Sequence, residues 1–326
     1  MKWLYICQKN LFNLKTLKSL VTMVHDNLEI FNGKFVSDFI PNETQVDFTN
    51  HTYRLRLDFD SIENGSTIDE LIHSFAQLPN IHQCQELIIG QWSFDSGSEG
   101  VVNALVNLKE GFKNLKTLFI GDITYEEQEI SWIQQSDLSP ILAAYPNLEL
   151  LQIRGGTSLS FSNLKHDNLK SLIIQTGGLP PNVIEEINNS HLPNLEKLEL
   201  WLGDENYGFE SKIEDLDIII NAGKFPKLTY LGLKNSFLQD EIAIKISQSR
   251  ILGQLHTLDL SMGTLTDLGA NALLRNPAIS NLHFLNLDHH YMSDEMMEQI
   301  KSLGIPVSMN DREVEDDGYR YIEVSE

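Results

Sequence analysis

A leucine-type pattern, L-x-x-L-x-L, constrains the fold of this chain more than any other feature. It recurs eight times, as Cys84/Leu87/Ile89, Leu115/Leu118/Ile120, Leu148/Leu151/Ile153, Leu169/Leu172/Ile174, Leu195/Leu198/Leu200, Leu228/Leu231/Leu233, Leu255/Leu258/Leu260 and Leu282/Leu285/Leu287. Successive copies start 21 to 33 residues apart, and leucine-rich repeats run about 20–29 residues per unit. Because each unit buries its apolar edge only against its neighbours, the pattern predicts a single solenoid.

The segments between the copies predict an α/β architecture of about eight irregular repeats. Strand and helix patterns alternate, and helices that connect parallel strands form right-handed crossovers. We therefore expect a curved parallel sheet on the concave face and helices on the convex face. Helix starts are marked by Pro140, Pro181, Thr266 and Ser293, which suit first-turn and N-cap positions. The unit that starts at Leu148 is too short for a full helix.

Four regions are predicted. Residues 1–22 carry lysines and no acid but lack the apolar core and cleavage site of a secretory signal. We expect a non-native or disordered extension there, with an amphipathic anchor as the alternative. Residues 23–80 are expected to form an N-terminal cap, residues 81–309 the solenoid, and residues 310–326 an acidic C-terminal cap or tail.

Two local patterns support the predicted caps. In the N-terminal region, strict alternation over residues 53–59 predicts a strand, and Thr67 with Glu70 forms a capping box that starts a helix. At the other end, residues 319–324 alternate well enough for a closing strand. The last stretch, residues 311–326, holds seven acids against two arginines, so a mobile acidic tail is the alternative to a strand that seals the final repeat.

The net charge of −22 limits the classes of partner. Nucleic acids and anionic membranes are disfavoured, because phosphate binding needs clustered Lys and Arg. No apolar run approaches the roughly 20 residues that span a bilayer. A cytoplasmic protein is expected, and a partner of this chain would carry a basic patch. Two cysteines, Cys7 and Cys84, cannot form a disulfide framework, and Cys84 in a repeat position is expected to be buried.

Several stretches resemble a known type of repeat protein. Residues 255–270 are similar to ribonuclease-inhibitor-like leucine-rich repeats. Residues 121–137, with Arg154-Gly155-Gly156, residues 177–180, 200–203 and 288–293 and the closing residues 320–326, resemble a bacterial family of cytoplasmic leucine-rich-repeat proteins. The resemblance covers roughly residues 27–326. It implies an accessory binding role beside an enzyme encoded nearby, and no catalytic residue is established for that family.

The chain departs from generic leucine-rich repeats three residues after the last strand leucine. That position is usually Asn or Cys, whose side chain satisfies loop backbone in a ladder. Here it is occupied by other residues, namely Ile123, Gly156, Gly177, Gly203, Ser236, Gly263 and His290. We therefore expect the loops to satisfy their backbone in another way and the curvature to be irregular.

The residues between the leucines are predicted to lie on the concave face, because side chains alternate along a strand. Three rows result: a first row before each middle leucine, a second row after it, and a third row after the last leucine. The aromatic and charged members are the candidate binding residues: Phe119, Arg154, Lys197, Glu199, Trp201, Tyr230, Lys234, Asp259, Phe284 and Asp288. The alternative is that inserted loops or the chain ends cover the aromatic side chains.

Acidic residues cluster between one predicted strand and the next helix, at Asp122, Glu126, Glu127 and Glu129. Clustered carboxylates suit a hard cation, although their spacing does not match an EF-hand; a solvated loop or a contact for a basic partner is the other interpretation. The paired His289 and His290 lack evident further zinc ligands, so no metal site or cofactor is predicted.

The sequence therefore predicts a non-catalytic protein-binding module, since common catalytic and nucleotide-binding motifs are missing from it. Its partner, an unknown protein, would bind the concave face. Two alternatives stay open. One is a metal-dependent enzyme or cation-binding protein that uses the acidic 122–137 insertion, and the other is a structural homo-oligomer.

Overall fold

A computed structural model describes residues 25–41 and 43–326. In this part of the chain, twelve strands form one open sheet in sequence order, and all neighbours are parallel except β1 and β2. The strands are β1 Ile30–Phe31, β2 Lys34–Asp38, β3 His51–Leu55, β4 Glu86–Ile89, β5 Thr117–Ile120, β6 Leu150–Arg154, β7 Ser171–Gln175, β8 Lys197–Gly203, β9 Tyr230–Ser236, β10 Thr257–Asp259, β11 Phe284–Asn286 and β12 Val307–Ser308.

Helices follow most strands on the convex side. They are α1 Phe59–Glu63, α2 Ile68–Ala76, α3 Glu99–Asn107, α4 Ser139–Ala144, α5 Pro181–Asn189, α6 Asp217–Ile220, α7 Gln239–Gln248, α8 Asp267–Leu274 and α9 Asp294–Lys301. The α/β leucine-rich-repeat solenoid is thus confirmed. No helix lies between β6 and β7, as the short unit from Leu148 predicts. Within the described residues, no helix combines the length and hydropathy that crossing a membrane requires.

The middle leucines of the repeats pair directly with one another across the sheet. From β4 to β11 they form one continuous row of buried side chains, Leu87, Leu118, Leu151, Leu172, Leu198, Leu231, Leu258 and Leu285. Tyr53 on β3 and Val307 on β12 continue this register at the two ends. One hydrophobic core therefore runs through the solenoid, between the sheet and the helices.

An asparagine ladder exists, but at a different repeat position from the usual one. Asn114, Asn147, Asn168 and Asn194 each stand directly before a repeat leucine. Their side-chain amides donate to backbone carbonyls one repeat earlier, at 2.7, 3.4, 2.9 and 2.6 Å. The ladder therefore stabilises the turns at the amino ends of the strands.

The predicted strand over residues 53–59 is wrong at its carboxyl end. The strand stops at Leu55, and α1 begins at Phe59. The cause is Asp58, whose side chain accepts a hydrogen bond from the Ser61 N–H at 2.8 Å and caps the helix. Downstream, the Glu70 carboxylate accepts from the Thr67 N–H at 3.3 Å, as predicted for the capping box.

The predicted closing strand over residues 319–324 is also wrong. The last strand is β12, and residues 319–326 instead run backwards along the carboxyl ends of the strands. We call this segment the strap. The Glu323 N–H donates to the Met262 carbonyl at 2.9 Å, and the Ser325 carbonyl accepts from Ser131 Oγ at 2.6 Å. The strap does not form a strand because these partners lie outside the strands of the sheet. The predicted extension, residues 1–22, lies outside the described residues.

Cys84 offers a test of the core. Its side chain is fully buried, and burial raises the pKa of its thiol to about 12. Because the thiolate is the reactive form, we expect Cys84 to resist a disulfide reagent at mildly alkaline pH in the folded Cys7→Ser variant and to react rapidly in urea. Reaction of the native variant at the unfolded rate would contradict this packing.

Candidate functional site

The concave face consists of the three rows of side chains between the leucines, and the rows differ sharply in exposure. The first row is mostly half-exposed: Glu86, Leu150, Ser171, Lys197, Tyr230, Thr257 and Phe284. Most candidate binding residues of the second and third rows are buried, namely Phe119, Arg154, Glu199, Trp201, Lys234 and Asp259. The accessible part of the predicted site is therefore its amino-terminal edge.

A buried charged cluster fills the concave face of β8 to β10. Lys234 Nζ lies 3.8 Å from Glu199 Oε1 and 3.6 Å from Asp259 Oδ2. The Tyr230 hydroxyl is within donating distance of both carboxylates, 3.0 Å from Glu199 and 2.9 Å from Asp259. Gly232 stands between these carboxylates in the register. Because it has no side chain, the Tyr230 ring can lie there; a Cβ would come 3.1 Å from Tyr230 Cε1.

The surroundings of Glu199 keep it ionised. Burial alone would raise the pKa of this carboxyl, but the charges of Lys197 and Lys234 and a hydrogen bond from Trp201 lower it to about 2. The Lys197 ammonium lies 2.9 Å from Glu199 Oε2, and Trp201 Nε1 donates to Oε1 at 3.1 Å. A carboxylate with so low a pKa is unsuited to exchange protons near neutral pH, so this cluster is built for position and charge.

The prediction of exposed aromatic side chains is wrong for Phe119 and Trp201, which are both buried. Phe119 is covered by the chain's own beginning: Phe31 stacks on it at 6.2 Å between centroids, with Leu28 beside them. Trp201 is fully buried, with Lys234 Nζ 5.4 Å from its ring centre. The alternative that chain ends cover aromatic residues is thus correct for Phe119.

Arg154 is also buried, and the described residues provide no carboxylate within salt-bridge distance. Its Nη1 donates to the Ile123 carbonyl at 2.8 Å and its Nε to Gln175 Oε1 at 3.1 Å. The guanidinium carbon lies 5.6 Å from the centre of the Phe119 ring. Burial lowers the pKa of Arg154, against the attraction of Asp122 and Glu127.

Four candidates retain access to solvent, namely Lys197, Tyr230, Phe284 and Asp288. Lys197 is half-exposed and lies over the Tyr230 ring, 4.3 Å from its centre. Phe284 occupies the first row on β11 and is half-buried. Asp288, also half-buried, accepts from the Ser308 hydroxyl at 2.7 Å and from the Asn310 N–H at 2.5 Å, so it also holds the last strand in place.

The acidic insertion is tied to arginines. Asp122 is buried and accepts from Arg54 Nη1 at 2.7 Å, and Glu127 pairs with Arg56 Nη1 at 2.7 Å. Asp122 also accepts from the Leu28 N–H at 3.2 Å, which fixes the beginning of the described chain.

These pairings weaken the cation-binding alternative. Glu126 is exposed and Glu129 half-exposed. In the described ranges, no three His, Cys, Asp or Glu side chains are grouped as metal ligands would be. The adjacent histidines His289 and His290 are both buried.

The buried cluster gives the protein a predictable response to acid. Glu199 has a depressed pKa, so its stabilising contribution is present above its ordinary value of 4.5 and is lost as the pH falls towards about 2. The difference corresponds to about 3 kcal/mol of the free energy of unfolding. We expect Glu199→Gln to be less stable at neutral pH and to approach the wild type as the pH falls through this window.

Urea denaturation at a series of pH values measures this convergence. Glu298→Gln, which alters an exposed carboxylate, is the matched control and should follow the wild type. A constant stability difference between Glu199→Gln and the wild type across the window would show that Glu199 is not held ionised by the two lysines.

Comparison with proteins of known structure finds similar chains, two bacterial proteins among them. The chain is 37% identical to a protein from Bacteroides fragilis of known crystal structure, with a TM-score of 0.77, over 83% of this chain and 76% of that one. It also matches an internalin from Listeria monocytogenes strain 4b F2365 at 16% identity and a TM-score of 0.38, over 87% of each chain. Protein-family models and curated proteins give no match.

Proposed function

Since the chain belongs to the bacterial leucine-rich-repeat family that includes the Bacteroides fragilis protein, we propose that it is a non-catalytic, cytoplasmic protein-binding module. The leucine-rich-repeat fold suggests a protein-interaction module, because its parallel sheet presents a long, rigid surface. We propose ribonuclease-inhibitor-like repeats and a partner that is an enzyme, to which this chain is accessory.

One observation supports the concave face as the binding surface. Its first row is a half-exposed strip along the sheet, and it combines Lys197, Tyr230 and Phe284 with the carboxylate of Glu86. These side chains stand on a floor of buried second-row and third-row residues, such as Glu199 and Trp201. Aromatic and charged groups fixed on a rigid floor lose little conformational freedom on binding, which favours affinity.

The charge of the chain favours a partner with a basic patch. The net charge is −22, while several cations are buried in ion pairs, among them Lys234 and Arg54. The outer surface is therefore more acidic than the interior. Complementary charge raises association rates and suppresses wrong partners.

Cross-linked pull-downs from cells that produce the protein test this proposal. We expect the double variant Lys197→Ala/Phe284→Ala to lose the partner that the wild type captures, because both side chains belong to the accessible first row. Trp132→Ala is the control, since Trp132 is 64% exposed but lies in the acidic insertion. Trp201 is not a suitable position for testing the contact by substitution, because its side chain is buried.

The outcomes are distinct. Loss of the partner in the double variant but not in Trp132→Ala supports the first row as the contact. Equal capture by all three proteins would rule out this surface. Capture of nothing but further copies of the chain would favour the homo-oligomer alternative.

A further inference from the structure

The strap, residues 319–326, is held at two points through its backbone. The Tyr291 hydroxyl accepts from the Tyr321 N–H at 2.8 Å and donates to the Tyr321 carbonyl at 3.1 Å. Three residues later, Asn235 Oδ1 accepts from the Val324 N–H at 3.0 Å and Asn235 Nδ2 donates to the Val324 carbonyl. Both pairs read an extended peptide unit of any sequence.

The surface beneath the strap has an unusual backbone conformation. Asn235, Met262 and His289 occupy the same position in three successive repeats, two residues after the last strand leucine. All three have left-handed backbones, with φ of 53°, 69° and 56°. Such conformations cost of order 1–3 kcal/mol for residues other than glycine and gather at functional sites. Here they line up along the path of the strap.

Two further contacts extend this surface across earlier repeats. A Cβ on Gly177 would collide with the Ser325 carbonyl oxygen and with Ser131 Oγ. Glycine at this ladder position therefore admits the strap. Beyond it, the Tyr207 hydroxyl donates to the carboxylate of Glu326. We call the surface formed by Tyr291, Met262, Asn235, Gly177 and Ser131 the edge groove.

Side chains of the strap show what the edge groove selects beyond backbone. Ile322 is buried, and Val324 packs against the main core. Between them, Glu323 is half-buried, and burial raises the pKa of its carboxyl against the attraction of His289 and Lys234. The groove thus fits an apolar residue, an acid and a second apolar residue in extended conformation.

The connection to the strap lies on the surface. Residues 310–319 are all exposed. They contain a tight hairpin turn in which Asp317 and Gly318 have φ of 49° and 82°, typical of a type I′ turn. A segment joined to its site by a short tether competes at an effective concentration on the order of millimolar. The strap would therefore exclude all but a locally concentrated or tighter ligand.

We propose that the edge groove is a second binding surface, for an extended segment of a partner protein with an apolar–Glu–apolar core, and that the strap occupies it in cis as a competitor. This surface is separate from the first row of the concave face. Binding at the edge groove therefore does not depend on the function proposed above. The strap pairs with the groove through backbone donors and acceptors, and an extended segment of a partner would offer the same groups.

The test uses the full chain and a fluorescein-labelled peptide with the sequence of residues 319–326. Ile322→Asp/Val324→Asp should release the strap, because it places charges against apolar surroundings. By fluorescence polarisation, we expect this release variant to bind the peptide at least about tenfold more tightly than the wild type. Adding Asn235→Ala should weaken binding again by about tenfold, as expected for loss of two hydrogen bonds to the peptide backbone.

A second release variant guards against loss of folding. Gly177→Ala leaves the sequence of the strap intact but blocks the site of Ser325, whereas a Cβ on Gly253 meets nothing within 4 Å. Hydrogen exchange should therefore accelerate in residues 321–326 of Gly177→Ala and stay unchanged in Gly253→Ala. A peptide N-methylated at the position of Val324 should bind weakly, and one with Gln at the position of Glu323 should keep its backbone-dependent binding.

Three results would overturn the proposal. Peptide binding by the release variant no tighter than by the wild type would show that the groove does not accept a segment in trans. Binding that is insensitive to Asn235→Ala would place the peptide elsewhere. A wild-type dimer in light scattering that becomes monomeric in the release variant would assign the groove to the strap of a second copy.

Discussion

The register of the middle leucines is the constraint on which the rest of the structure depends. They pair strand to strand across β4 to β11, with Tyr53 and Val307 continuing the row. Burying each leucine side chain is worth roughly 1.5–3 kcal/mol, and a shift of one residue would turn every leucine to the other face. The register therefore fixes which side chains share the concave face and which loops meet at each edge of the sheet.

Some of the few cationic side chains of this acidic chain are buried in ion pairs. Lys234 is placed between Glu199 and Asp259, and Arg54 between Asp38 and Asp122. Buried ion pairs add little net stability because desolvation offsets attraction, although breaking one is costly. Their effect here is to fill the concave face and hold its floor in one arrangement. The surplus of negative charge is left for the outer surface.

The solenoid was readable from the sequence because its signal is local and repeated. Leucine spacing identified eight strands, and Pro181 and Ser293 marked helix starts that the structure places at α5 and α9. The displaced asparagine ladder also had a signal, the Asn-Leu pair at Asn114, Asn147, Asn168 and Asn194. The sequence does not reveal this ladder at the usual position, because that position holds glycine in several repeats.

The exposure of the candidate side chains and the path of the strap could not be predicted in the same way. Whether Phe119 is exposed depends on Phe31, which is distant in sequence and shows no pattern that pairs it with β5. The alternation of residues 319–324 suggested a strand, but those backbone groups are satisfied by side chains and loop carbonyls such as Asn235 and Met262. Long-range cover of this kind leaves no periodic trace in a single sequence.

Hydroxyl-radical footprinting of the native chain, read by mass spectrometry, tests most directly the claim that the concave face is filled except for its first row. Phe284 and the exposed Trp132 should be oxidised in the folded protein, while Phe119 and Trp201, both fully buried, should be protected until the protein unfolds. Oxidation of Trp201 and Phe119 at rates like that of Trp132 would contradict the filled concave face.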